Sequence, residues 1–500
     1  MAITILGFAS TDKVPGFVGE TVYGAGAISL GSIPIKLLCV GGISTDGDLT
    51  PDTEIRQIFS AGDAATAAGA GSELHGMLTN ALRVPGVRIY AATATEAGGA
   101  AAATGTITIA GTWSTAGTFV YRIGGVLVTG TILGTDNATA AGDAIEAAIN
   151  AVAECPVTAS NTTGTVTLTA KTKGARGNLI YVAQDASQLP SGATSTLAGG
   201  TGVTGGITPL SGGSGTENVT ALLATLYAGT YDMQAWATND ATNLGKIKAQ
   251  LVAKAGPLEN RLEHAVFGAN GTYAAAKSLA QTTCNAERMQ CVWQLYGETQ
   301  PAATAASMAA IRVQYQQATP NASFDGVLLP GVAPQSQRAD WAIRSTQQAA
   351  LDAGVTPIVT TEGDVTSAQV VRAITTHCLD GSNPDYRTLD VADAVVPDYV
   401  RRYLDLYWTT SYVVANPYVR ANPTSEERDP PAGVATPARW NSQVATILQE
   451  LEGALVLTGT RTTAGQPLSE FDETAKRIMS AVPTYRLPHQ HQIGVSIRAQ

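Results

Sequence analysis

The hydrophobic pattern first becomes regular at Ile35 to Val40 (IKLLCV), a continuous apolar run stopped by Gly41 and Gly42, as expected of a strand buried on both faces. Thr50 followed by Pro51 predicts a helix over TPDTEIRQIF, because proline is favoured in the first helical turn. A second helix is marked by Leu74, Met77, Leu78 and Leu82 on one face and is ended by Pro85 and Gly86. Val87 to Ala91 (VRIYA) reads as the next strand. Strand, helices, strand is the pattern of a parallel α/β layer.

From about residue 103 to 200 the texture changes to Thr- and Gly-rich alternation, which predicts a separate β-rich domain inserted into the first. Thr106 to Ala110 alternates; Phe119 to Ile123 and Val126 to Thr129 flank Gly124-Gly125, a two-residue hairpin loop. Ile145, Ile149 and Val152 mark one helix, and after Pro156 strands resume at Thr165 to Ala170 and Asn178 to Ala183. The predicted order is β-β-β-α-β-β-β. Residues 198–216 (AGGTGVTGGITPLSGGSGT) read as a flexible Gly-rich linker back to the main body.

The α/β rhythm then returns, with strands expected at Tyr231 to Ala237, Glu263 to Phe267, Arg288 to Gln294 and Gly326 to Leu329. Leu244, Ile247 and Leu251 mark one helical face between them, and Met308, Ile311 and Tyr315 another. Beyond Thr366 a smaller α+β unit is expected, built on a helix near Ala392 to Tyr407 and on a second that starts at Thr436-Pro437. Trp440, Val444, Ile447, Leu448 and Leu451 line a single face of the latter. The fold class is thus α/β and α+β multidomain: a discontinuous α/β body (34–102 and 201–365), an inserted β-rich domain (103–200) and a C-terminal α+β domain (366–483).

The two ends differ from everything between them. Residues 1–33 space Gly, Pro and Ser so closely that no period is sustained, which predicts an extended arm whose apolar contacts come from Val14, Phe17, Val18 and Val22. Residues 484–500 place Ile493, Val495 and Ile497 on one side of a predicted strand that Tyr485 heads. A lone strand has to pair with something.

Composition narrows the function. Charged residues are 14% of the chain against about 25% in an average globular protein, a balance that favours a surface covered by copies of itself. A net charge of -10 with pI near 5.1 excludes a nucleic-acid wrapper, which needs a basic face. The five cysteines are scattered and without CxxC spacing, so they read as buried thiols in a reducing compartment. No basic start followed by an apolar segment and no run of about 18 apolar residues occurs; a soluble, cytoplasmic protein with no membrane insertion is expected.

Candidate chemistry is sparse. GAGSEL (Gly69 to Leu74) opens a helix but has Leu74 where a dinucleotide fingerprint needs Gly or Ala. His489 and His491 lack a third metal ligand. His377 and Cys378 are adjacent and would diverge on a strand, and Glu426-Glu427 lie in a polar loop. No catalytic, cofactor or metal residue is assigned, and an enzyme is not expected; a nucleotide-binding α/β enzyme resting on GAGSEL, or another self-assembling shell protein, is the alternative.

One stretch, VTPIVTTEGDVTSAQVVRAITTHCLDGSNPDYRTLDVADAVVPDYVRRYL (Val355 to Leu404), resembles the tail sheath proteins of contractile-tailed phages, the Mu-like type in particular. The pieces are the strand expected at VVRAITT (Val370 to Thr376), Asp385-Tyr386 with TLDVADAV, and the helix carrying Tyr399, Arg401 and Arg402. Ala435 to Leu457, Phe324 to Gln335, the β-rich segment with PVTAS and VTLTAKTKGARGN, and GAGSELHGMLTNALRVPGVRIYA extend the likeness over most of the chain. That resemblance implies stacked hexameric rings around a tail tube protein, with baseplate and tail terminator proteins as further partners, no cofactor, and a place in the virion tail after assembly in the host cytoplasm. It also implies terminal arms that add strands to neighbouring subunits, and it makes Arg401 and Arg402 candidates for a tube-facing surface.

Overall fold

The computed structural model describes residues 34–201, 207–335, 341–361, 364–415, 418–424 and 427–489. Val14, Phe17, Val18, Val22, Ile493, Val495 and Ile497 lie outside the described residues.

In chain order the strands are β1 (Lys36–Val40), β2 (Arg56–Ile58), β3 (Arg88–Ala92), β4 (Ala102–Gly111), β5 (Gly117–Ile123), β6 (Val126–Ile132), β7 (Val157–Thr162), β8 (Thr165–Lys173), β9 (Tyr181–Asp185), β10 (Ala193–Ala198) and β11 (Ile207–Pro209). They continue as β12 (Met233–Trp236), β13 (His264–Gly271), β14 (Met289–Leu295), β15 (Leu328–Leu329), β16 (Val355–Thr361) and β17 (Asp364–Val370). Nine of them form one sheet in the order β15-β17-β16-β14-β13-β12-β1-β3-β2. The central strands from β16 to β3 run parallel, and antiparallel strands close both edges.

The central strands are largely buried on both faces because each face has its own core, and the polar residues they carry there, such as Gln234 and Gln290, are hydrogen-bonded. Leu37, Cys39, Met233, Ala235, Val266 and Val292 face one core. Leu38, Val40, Trp236, Phe267, Cys291 and Trp293 face the other. The first core is covered by α1 (Ala61–Ala68), α2 (Glu73–Leu82) and the long α7 (Pro301–Ala318), the second largely by α4 (Thr220–Tyr227) and α5 (Ala241–Lys254). Helix α7 is buried almost all round from Pro301 to Val313, with alanine at six of those thirteen positions, so it lacks the single apolar stripe of a surface helix. Small residues permit that depth: a side chain at Gly268 of β13 would collide with the Pro301 carbonyl at the start of α7. Met308 and Ile311 are core residues as expected, whereas Tyr315 is largely exposed.

Three local expectations are corrected. The segment TPDTEIRQIF is a turn followed by β2. Asp52 takes a left-handed φ of 63°, its carboxylate accepts from the Thr95 amide and hydroxyl, and Glu54 accepts from the Thr50 amide. These side chains offer the backbone a turn in place of a helix, and pairing of Ile58 with Ile89 then buries Ile58. The strand expected over Val370 to Thr376 ends at Val370. Beyond it the backbone is satisfied piecemeal, by an Ile374–Asp390 bridge, by the Thr356 hydroxyl and by the Met289 carbonyl.

The third correction concerns residues 102–215. They form two four-stranded sheets, β10-β4-β8-β7 and β11-β9-β5-β6, closed over a core that includes Ile145 and Ile149 of α3 (Ala138–Ala151). The hairpin at Gly124-Gly125 is present, with both glycines at positive φ. The returning chain is not a loose linker: β11 pairs with β9, Ser211 exchanges hydrogen bonds with Thr104 at 2.7 and 2.8 Å, and Ser214 bridges Ala101. A Gly-rich segment with few side chains still carries a full set of backbone groups, and here the outgoing strand satisfies them. Side chains then clamp these sheets to the large one. Arg176 bridges Glu73 of α2 at 2.9 Å and also pairs with Glu217, while Thr172 accepts from the Glu73 amide at 3.0 Å. Gly71 of GAGSEL serves this contact, since a side chain there would collide with the Cys155 carbonyl, whereas Gly69 makes room for Ser44 within the α/β body.

Candidate docking groove of the C-terminal unit

The C-terminal unit is built on α9 (Val391–Tyr407) and the helix Pro437–Gly453. Asp390 and Asp393 form a reciprocal capping box that fixes the start of α9. The second helix starts where Thr436 caps it and Pro437 takes the first turn. Val444, Ile447, Leu448 and Leu451 are buried along one face of it, and Trp440 is partly buried.

Helix α9 is tied to the large sheet by ionic groups. Arg288 donates to both Asp398 oxygens, at 2.5 and 2.8 Å, and His264 Nε2 lies 2.9 Å from Asp398 Oδ2. Burial pulls the His264 imidazole down to about 4 even with Asp398 beside it. Burial acts to raise the Asp398 carboxyl, but hydrogen bonds from His264 and Arg288 outweigh it and hold the group well below the usual carboxylate range. His264 is therefore neutral in the folded protein, while in the unfolded chain it takes up a proton below about 6.5. Stability from this residue is complete above pH 6.5 and is lost as pH falls from 6.5 towards 4, on the order of 3 kcal/mol over that window. Denaturant unfolding at a series of pH values checks this: His264→Gln is expected to flatten the slope in that window.

The two arginines expected to face a tube are committed within the chain. Arg401 donates to the carbonyls of Ala255 and Gly256 at 3.0 and 3.1 Å; Arg402 pairs with Asp232 at 2.7 Å and also donates to the Leu262 carbonyl. Their contacts hold α9 against the loop after α5.

Past Tyr407 the helix widens into a π-helical turn, Trp408–Tyr412, which gathers the aromatic residues. Trp408 stacks on Tyr412 at 5.0 Å, and Trp440 meets Tyr412 edge-on at 4.7 Å and Trp408 at 5.7 Å. Trp408 and Trp440, backed by the buried Tyr412, form the floor of a groove of about 610 Å³ that Leu404, Tyr418, Val419 and Ile478 complete, with Asp405, Lys476 and Arg477 among its lining residues. Trp408 is 45% exposed and Tyr418 69%. Two short strand pairs contribute to the walls, Tyr418–Val419 with Val434–Ala435 and the hairpin of Leu468–Asp472 with Arg477–Ala481. Among the described residues neither pair has a third strand. Sequence reasoning missed this hairpin. Its local signal is weak: Leu468 to Asp472 mixes apolar and polar residues on both faces, and the polar turn Glu473 to Lys476 is its one marker.

Tyr485, just beyond the groove wall at Val482, is 49% exposed. Residues 485–489 are fastened to their own chain. The Tyr485 carbonyl accepts from the Thr458 amide at 2.8 Å and Arg486 bridges Leu457. The Arg486 guanidinium donates to Asp393 at 2.6 Å and Asp390 at 2.9 Å. His489, considered above as a metal ligand, lies 2.8 Å from the Asn321 carbonyl and 3.2 Å from Arg486; His491 is outside the described residues. His377 Nδ1 lies 2.8 Å from the Thr388 hydroxyl, and Cys378 accepts from Gln281, so the two side chains do not converge. No group of three or more metal-ligating side chains occurs among the described residues, and no helix there is long and apolar enough to cross a membrane.

No known family profile matches the chain, and no curated protein does. Solved structures do. The chain is similar to the sheath tail protein of Desulfitobacterium hafniense, at 13% identity and a TM-score of 0.47, over 94% of this chain and 100% of that one. It is similar to the sheath tail protein of Listeria innocua at 12% identity and a TM-score of 0.49, over 91% and 93%. The structural neighbours are sheath tail proteins. A third is the helical sheath of the anti-feeding prophage in its contracted state, at 10% identity and a TM-score of 0.48, over 97% of this chain and 99% of that one.

Proposed function

We propose that this chain is the structural subunit of a contractile tail sheath, stacking as hexameric rings around a tail tube and shortening to drive the tube through a host envelope. The observation that carries the reading is the groove: an aromatic floor beside two short strand pairs, in a chain whose two ends are rich in positions suited to fill such a site. The occupant is the segment from about 10 to 30 of a second copy. Its Val14, Phe17, Val18 and Val22 supply the apolar contacts, and the strand with Ile493, Val495 and Ile497 pairs alongside. An extended stretch of that length reaches roughly 65 Å, enough to cross from one subunit to the next. If each donated strand makes about five backbone bonds at a net 0.5–1.5 kcal/mol, a junction contributes on the order of 2–7 kcal/mol. Backbone pairing holds direction while the bodies rotate, so contraction improves contacts between bodies and leaves the donated strands in place. The extended form is then a kinetic trap that a baseplate signal releases.

Electron microscopy of negatively stained, purified protein tests the reading. Helical tubes are expected from the whole chain, and folded, dispersed subunits from chains lacking residues 1–33 or 490–500; the second deletion spares Arg486 and its clamp. Full-length contractile tubes from both deletions would refute strand donation, and spheres from the whole chain would refute the sheath.

A further inference from the structure

Arg312 sits on the buried side of α7 and is 1% exposed. Its Nη1 donates to Gln290 Oε1 at 3.0 Å. Its Nε and Nη2 have no hydrogen-bond partner among the described residues, and no carboxylate pairs with it there. One turn further along the same face, Gln316 is 3% exposed and its Nε2 is likewise without a partner. Three buried N–H donor groups on two adjacent side chains thus lack an acceptor. Burial pulls Arg312 down only to about 9, so the guanidinium is charged at neutral pH.

The surrounding charges do not balance. Arg312 acts on His264 through its charge, and the carboxylate beside His264, Asp398, has both oxygens taken by Arg288 and His264; among these four residues Asp398 and Arg288 cancel, His264 is neutral, and Arg312 leaves an excess of one positive charge. An uncompensated buried charge is among the costliest features a fold can carry. A water molecule would satisfy donors without cancelling the charge. A peptide carboxylate would need an opening that side chains 1% and 3% exposed do not provide.

We propose that Arg312 and Gln316 hold a small monovalent anion of the halide class inside the α/β body. The anion accepts from Nε and Nη2 of Arg312 and from Nε2 of Gln316 and neutralises the cluster. It stabilises the contact of α7 with the strands beneath it by ordinary ligand linkage.

The test uses the full chain. Anomalous diffraction from crystals grown in bromide is expected to show a peak within hydrogen-bond reach of Arg312 and Gln316. The thermal unfolding midpoint is expected to rise by a few degrees in sodium chloride relative to sodium gluconate at equal ionic strength. Arg312→Met separates the two accounts by sign: with an anion bound, the variant unfolds below the parent in chloride and loses the salt response, whereas an unpaired guanidinium makes the variant the more stable protein in both salts. Gln316→Leu, which keeps the charge and removes one donor, is expected to weaken the chloride response. An empty bromide map with equal midpoints in the two salts overturns the proposal, and the map alone decides if Arg312→Met does not fold.

Discussion

Replacing Trp408 and Tyr418 together with alanine is expected to abolish tube formation while leaving a folded subunit. Tyr418 is mostly exposed in the groove, so its removal should cost no more than a surface substitution usually does, about 0.5 kcal/mol, whereas Trp408 also packs against Tyr412 and Trp440 and its removal should cost about 1–3 kcal/mol, short of unfolding the subunit. At an interface the balance reverses. Large aromatic anchors in a desolvated pocket commonly cost 2 kcal/mol or more on truncation, which is roughly 30-fold in affinity per anchor. A helical assembly repeats that loss at every junction. Sedimentation together with negative-stain imaging at matched concentration reads the effect, and tubes at the parental yield would show that the groove is not a docking site. Trp440→Ala is a poorer probe, because Trp440 packs against Tyr412 and Trp408 within the subunit and its loss would disturb the floor itself.

Asp398→Ala is expected to cost about 3–5 kcal/mol of folding stability, the range for breaking a buried ion pair from one side. Arg288 and His264 would be left facing each other in the interior, the first charged and without the acceptor that both its terminal nitrogens now use. Because Asp398 belongs to α9 while Arg288 and His264 lie in or beside the large sheet, the same change loosens the C-terminal unit from the body. Urea unfolding at pH 7.5 measures it, with the midpoint shifting down; a change under about 1 kcal/mol would mean that the cluster is solvated well enough to need no partner. Asp398→Asn keeps the shape and one acceptor and should fall between parent and alanine variant.

How far these sites were legible in the residues depends on the range of the forces that make them. The continuous apolar run of β1 announced a strand covered on two faces, and the two covering cores follow directly from which side each of its residues faces. The Gly124-Gly125 hairpin, the proline start at Thr436-Pro437 and the apolar face of that last helix were equally readable, because each is settled within a few residues. Trp440 stood out on that face, but its partners Trp408 and Tyr412 did not, since a π-helical turn brings them together from another helix.

Other features had no local signature. TPDTEIRQIF carries a helix-start signal and still forms a strand, because burying Ile58 beside Ile89 outweighs it. The Gly-rich return looked loose and is paired, since its neighbour is a strand about a hundred residues earlier. Arg401 and Arg402, a guess at a tube-facing surface, pair with carbonyls and with Asp232 of their own chain, which no local pattern signals.

By itself, then, the chain's residue order determined periodicity, turn chemistry, the alternation of α/β and β-rich stretches, and a low surface charge suited to self-association. Those properties are local or additive, so one sequence suffices to read them. Only the tertiary structure decided which strands pair, that Asp398 meets Arg288 and His264, that Arg312 has no carboxylate partner among the described residues, and that aromatic residues from two helices open into one groove. Each of these depends on groups far apart in the chain arriving at one place, where burial multiplies the worth of every charge and hydrogen bond.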